Sequence, residues 1–219
     1  MRSLALAATF AVCLSGAGAA AVPSDAGRIE FEVLRNGQPF GRHAISVTGA
    51  GDNLRAQTEV AMRAGVGPLT VFRLEQRCSE TWSDGVLSSL SCSTLKDGRR
   101  TQVRAQMRDG RLHVTGAEGE HWFPLGVFPT TWWTKPPASA STLIDTETGA
   151  PMPVRVTRMG RETIDVGGQR IEAERIRVQG TLAVDLWYDA EGRWVGCAFT
   201  ARGHNIEYRL ASPLNAAPA

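Results

Sequence analysis

"NLRAQTEVAMRAG", residues 53–65, alternates apolar and polar side chains along most of its length. Leu54, Ala56, Thr58, Val60 and Met62 share one parity; Arg55, Gln57, Glu59 and Arg63 share the other. A period of two sends successive side chains to opposite faces, so the stretch predicts a half-buried antiparallel β-strand. The same pattern extends in both directions. Upstream, "RIEFEVLRNGQPFGRHAISV" (28–47) reads as two strands about an Asn36-Gly37 turn, with Ile29, Phe31, Val33, Ile45 and Val47 inward. Downstream, "TVFRLEQRCSETW" (70–82) points Phe72, Leu74, Cys78 and Trp82 inward. Residues 86–114 then add strands around "KDG" and "RDG" turns, with Val103, Ala105 and Met107 inward.

The alternation stops between 117 and 142. "GEHWFPLGVFPTTWWTKPPASAS" (119–141) is rich in proline and tryptophan. A short helix near 129–134 is expected, because Pro129 suits a first helical turn. A connection this long inside a compact domain is more often functional than not. Strands resume from "MPVRVTR" to "NIEYRL". In "RIEAERIRV" (170–178) the inward set shifts from Ile171 and Ala173 to Ile176 and Val178, which predicts a bulge at Glu174 or Arg175. The expected fold is all-β and mostly antiparallel. About a dozen strands would form one strongly curved sheet or open barrel.

The 219 residues carry a net charge of +2, with charged residues interspersed, so no electrostatic footprint for nucleic acid is present. No stretch beyond the N-terminal leader is apolar for long enough to span a bilayer as a helix. Residues 1–21 read as a secretory signal. Arg2 is the positive end, "LALAATFAVCLSGAGA" the apolar run, and Ala17-Gly18-Ala19 and Ala19-Ala20-Ala21 are cleavage patterns. Cys13 follows Val12, which excludes a lipid-attachment reading. The mature chain, 22–219, is then one β domain in an oxidising compartment, the periplasm, soluble after cleavage.

Three cysteines remain there: Cys78, Cys92 and Cys197. A turn centred near Gly85 places Cys78 opposite Cys92, which predicts a disulfide; two buried reduced thiols would fit the same faces. Neither belongs to a C-x-x-C, so a zinc site is not expected.

"LWYDAEGRWVGCAF" (186–199) reads as a hairpin about Asp189–Gly192. That register opposes Trp187 to Trp194 on one face, and gives Leu182, Val184, Leu186, Val195, Cys197 and Phe199 the core face. Cys197 then sits among aliphatics as an inert thiol. The two tryptophans either pack against a covering segment or line a cavity. Polar residues also fall on inward parities: His43, Gln76, Glu80 and His204. A buried polar group needs a partner or a function. His43 with Glu80 could be a structural pair, a pocket lining, or a general acid–base pair. No nucleophile elbow, phosphate loop or H-E-x-x-H is present.

"GRHAISV" (41–47), "SETW" (79–82), "LIDTETGAPMPVRV" (143–156) and "LWYDAEGRWVGCAF" together resemble an uncharacterised family of exported proteobacterial proteins, known only as a domain of unknown function. The resemblance spans nearly the whole mature chain. It implies a periplasmic location and an antiparallel β fold, draws attention to His43, Glu80, Trp82, Trp187 and Trp194, and implies no chemistry. In architecture the chain is loosely similar to the half-barrel β-clams of periplasmic lipoprotein and lipid carriers. Three functions follow as expectations. One is a non-enzymatic carrier of an apolar, lipid-like molecule, lined by His43, Glu80, Trp82, Trp132, Trp133, Trp187 and Trp194. The second is a structural or interaction protein with a filled core. The third is an enzyme using His43 and Glu80. No cofactor or metal is expected.

Overall fold

The computed structural model describes residues 27–66 and 69–211; the leader expected at 1–21 lies outside them. Eight strands run in sequence: β1 (Gly27–Arg35), β2 (Gln38–Ala50), β3 (Asn53–Val66), β4 (Leu69–Ser83), β5 (Val86–Lys96), β6 (Arg99–Arg108), β7 (Arg111–Gly116) and β8 (Gly119–Phe123). Three short ones follow: β9 (Phe128–Pro129), β10 (Thr142–Ile144) and β11 (Pro151–Pro153). Five more complete the chain: β12 (Arg155–Val166), β13 (Gln169–Gln179), β14 (Ala183–Tyr188), β15 (Trp194–Ala201) and β16 (His204–Leu210).

Thirteen strands make one curved sheet in the order β12-β13-β14-β15-β16-β1-β2-β3-β4-β5-β6-β7-β8, and every pairing in it is antiparallel. It is not closed, since β12 and β8 are its two edges. The other three strands form a small sheet, β11-β10-β9, with β9 and β10 parallel. Short turns enforce the meander. Asn36-Gly37, Asp84-Gly85, Asp97-Gly98, Asp109-Gly110 and Arg202-Gly203 all have positive φ at both positions. That is the type I′ pattern, whose twist matches that of the flanking strands.

The alternation in β3 holds. Leu54, Ala56, Thr58, Val60 and Met62 are buried, and Arg55, Gln57, Glu59 and Arg63 are exposed. Inward residues of both meanders join one large core, and Phe128, Trp133, Leu143 and Ile144 of the connection belong to it. A smaller cluster of Val33, Val60, Met62 and Ile206 adjoins it.

Three expectations are corrected. Residues 129–134 form no helix: Phe128–Pro129 is a strand, a turn follows, and Trp132 has φ +65°, a left-handed conformation that breaks helical continuity. The 186–199 hairpin closes through a longer turn. Asp189 is buried and its Oδ1 accepts the backbone N–H groups of Glu191 and Arg193. Leu186 therefore opposes Cys197, and Trp187 opposes Gly196. A slip of two residues keeps the faces, but an irregularity at Val195 then turns Trp194 inward, against Tyr188. Trp187 stays on the outer face, and Leu182 is exposed rather than core. The bulge expected in β13 is present as an extra residue on the neighbouring strand, Met159, opposite Arg175 and Ile176.

Cys78 and Cys92 oppose each other directly and are bonded, with Cα atoms 4.1 Å apart. Their sequence separation of 14 closes a loop for which the chain-entropy argument gives about 3 kcal/mol. Reductant is expected to lower the melting temperature, Cys92→Ser to do the same, and the two effects not to add. Additive losses would mean that the reductant acts elsewhere. Cys197 is free and buried, and burial together with the Asp185 charge raises its thiol pKa. It is expected to stay unlabelled by thiol reagents until the protein unfolds.

Candidate functional site

The candidate residues separate into three places. The first is the lock between sheet and connection. β4 alternation sends Glu80 and Trp82 inward together, two residues apart. Trp82 Nε1 donates to Glu80 Oε2 at 2.8 Å, and Trp133 Nε1 donates to both Glu80 oxygens at 3.0 Å. The two indoles meet edge to face, with centroids 5.7 Å apart, and Phe128 lies 5.5 Å from Trp82. Burial raises the Glu80 pKa to about 7, against the pull of the Thr131 hydroxyl and the two indoles. Thr131 itself meets no partner at hydrogen-bonding geometry.

The rest of the connection is fastened in the same way. Tyr188 donates its hydroxyl to the Trp132 carbonyl at 2.8 Å. Lys135 bonds Glu174 at 2.9 Å, and Lys96 bonds Glu147 at 2.7 Å. Gln76 donates to Thr94 and to the Thr146 carbonyl. Backbone meets backbone at Gly116, where an added Cβ would stand 2.1 Å from the Thr148 carbonyl oxygen. Trp132 is half-buried against the core and offers its backbone carbonyl to Tyr188, whereas Trp133 is fully enclosed.

The second place is His43. It is buried beside the Phe31, Trp194 and Tyr208 rings, at centroid distances of 6.5, 5.1 and 5.7 Å. Neither ring nitrogen has a hydrogen-bond partner among the described residues. Burial lowers its pKa to about 3, so it is neutral. Register separates it from Glu80. His43 aligns with Val60 and Gln76, whereas Glu80 aligns with Ala56 and Val47, four residues further along. Four steps of ~3.4 Å and two strand spacings of ~4.8 Å put their Cα atoms roughly 16 Å apart, too far for an acid–base pair.

The third place is the outer face. Trp187 donates to Glu162 and lies under the Arg175 guanidinium, 5.3 Å from its ring centroid. Arg175 and Arg177 both bond Asp185 at 2.8 Å. His204 sits at a strand end between Arg35 and Asn36. Tyr188, Thr131 and Asp189 were not singled out as site residues in sequence; only the Asp-x-x-Gly-Arg spacing at 189–193 carried a signal for the last.

No group of three or more potential metal ligands occurs among the described residues, and no helix there is long and apolar enough to cross a membrane. The architecture is that of a β-barrel-like protein. It is similar to the crystal structure of a "beta-barrel-like protein of domain of unknown function DUF1849" from Brucella abortus, with a TM-score of 0.60 and 9% identity over 84% of this chain and 95% of that one. At that identity the likeness is one of fold. The chain belongs to the DUF6134 family, a domain of unknown function, which matches residues 31–211. No curated protein matches it.

Proposed function

We propose that this protein is a non-enzymatic structural or interaction module of the periplasm whose concave face is filled by its own chain. The observation that carries the reading is Trp133, with no exposed surface, wedged between Trp82 and the Glu80 carboxyl. The leader-like first residues and the Cys78–Cys92 bond support export to an oxidising compartment. A carrier of an apolar, lipid-like molecule draws support from the curvature of the sheet. It would require the connection to leave the inner face and break the lock at Glu80. Native mass spectrometry of protein recovered without detergent from its own periplasm decides between them. The expected mass is that of the processed polypeptide alone. One lipid-sized adduct per chain would overturn the filled-core reading in favour of the carrier.

A further inference from the structure

A row of inward positions crosses five strands of the sheet in direct register: His43 on β2, Val60 on β3, Gln76 on β4, Thr94 on β5 and Thr101 on β6. Four of the five are polar on a face that is mostly apolar. At ~4.8 Å per strand the row is roughly 19 Å long. Thr58, on β3 and diagonal to His43, is a further buried polar residue beside it.

The two ends of the row differ. Thr101 lines a surface cleft of about 250 Å³, together with Lys96, Arg99, Glu118, Glu147 and Thr148. His43 lies in the interior, where the two apolar clusters meet. In the middle, Gln76 and Thr94 bond each other at 2.9 Å. The hydroxyls of Thr101 and Thr58 and both ring nitrogens of His43 have no hydrogen-bond partner among the described residues. A neutral imidazole carries one donor and one acceptor. Buried groups of this kind are almost always satisfied, and where the protein does not supply the partner, internal water does. The unpartnered atoms mark both ends of one polar row, and the residue at one end, Thr101, borders the surface cleft with its hydroxyl turned away from solvent.

We propose that the row is a hydrated track: water enters at the Thr101 cleft and is bound along the inner face by the Thr101 and Thr58 hydroxyls and the His43 ring. The site takes water or another small uncharged molecule with both a donor and an acceptor. The competing account is dry. Phe31, Trp194 and Tyr208 are inclined to the His43 ring at 71°, 75° and 65°, and an N–H directed at an aromatic face is a weak but real contact.

Nitrogen-15 NMR of the uniformly labelled full chain separates the two. The hydrated track gives the His43 ring N–H a direct exchange peak with water. Thr101→Val, a nearly isosteric change at the mouth, slows that exchange about tenfold, while the backbone amide spectrum shows the fold retained. Thr58→Val weakens the water contact at the ring itself. A His43 N–H as protected as the core amides of Phe31 and Ile45 overturns the proposal and leaves the dry contact. Rapid exchange indifferent to both substitutions also overturns it, because the water would then arrive by another route.

Discussion

Trp133→Ala is expected to destabilise the protein by about 3–5 kcal/mol, the range for emptying a large aromatic site in a core. At roughly 2–4 °C per kcal/mol for a domain of this size, the melting temperature should fall by about 6–20 °C. The loss has two sources. The indole is fully buried against Trp82, and its N–H is one of two indole donors holding the Glu80 carboxyl. Trp132→Asn is the control. Trp132 is half-buried, its contribution to Tyr188 is a backbone carbonyl, and its φ of +65° suits asparagine better than tryptophan. That variant is expected to lose far less. Equal losses at the two positions in thermal melts would sink the account of the connection as a fastened core element.

The second large effect is on pH dependence, where His43 and Glu80 act with opposite signs. His43 titrates near 6.5 in the unfolded chain and about 3 in the native one. Below pH 6.5 the unfolded chain takes up a proton that the native state refuses, so stability falls as pH drops towards 3, by about 5 kcal/mol in all. Glu80 titrates near 4.5 unfolded and about 7 folded. Above pH 4.5 the unfolded chain releases a proton that the native state keeps, so stability falls as pH rises towards 7, by about 3 kcal/mol. Between 4.5 and 6.5 the two slopes cancel. His43→Leu should therefore gain on wild type steadily as pH falls through the His43 window, and Glu80→Gln should gain as pH rises through the Glu80 window. Urea melts from pH 3 to 8 read these differences directly, because titrations common to both proteins drop out. A constant offset between His43→Leu and wild type across that range would mean that the native ring takes up its proton as readily as the unfolded one.

The fold was legible where packing is one-sided. Alternation in β3 and the Asn36-Gly37, Asp97-Gly98 and Asp109-Gly110 turns reported true strands and true hairpins, because a half-buried strand must alternate and a two-residue hairpin turn must accept positive φ. The disulfide followed from the same arithmetic about Gly85. What failed was decided by side chains reaching back to the backbone. The Asp189 carboxylate lengthens its turn and moves the register by two, and no periodicity in 186–199 reports a carboxylate that caps amides. The expected helix failed because "TTWWT" is directed by distant partners, Glu80 and Tyr188, rather than by its own propensity. Of the site, Glu80, Trp82 and Trp133 were visible as inward or clustered residues. Their convergence on one carboxyl was not, because it joins positions 53 residues apart.

The pairing of β1 with β16 has a bearing on the order of events in folding. Phe31 lies opposite Leu210, and the amide of Ala211 bonds the Glu30 carbonyl. Each meander can form from hairpins local in sequence, but the seam between them waits for the last strand to be made. A ribosome still holding residue 200 would therefore hold two unjoined half-sheets with apolar inner faces, a species that a cell must keep unfolded or shielded. The same adjacency makes the two ends of the described chain neighbours in space. A short linker could join them and new ends be opened at the exposed Gly168 turn, so that the seam becomes a local hairpin that closes early.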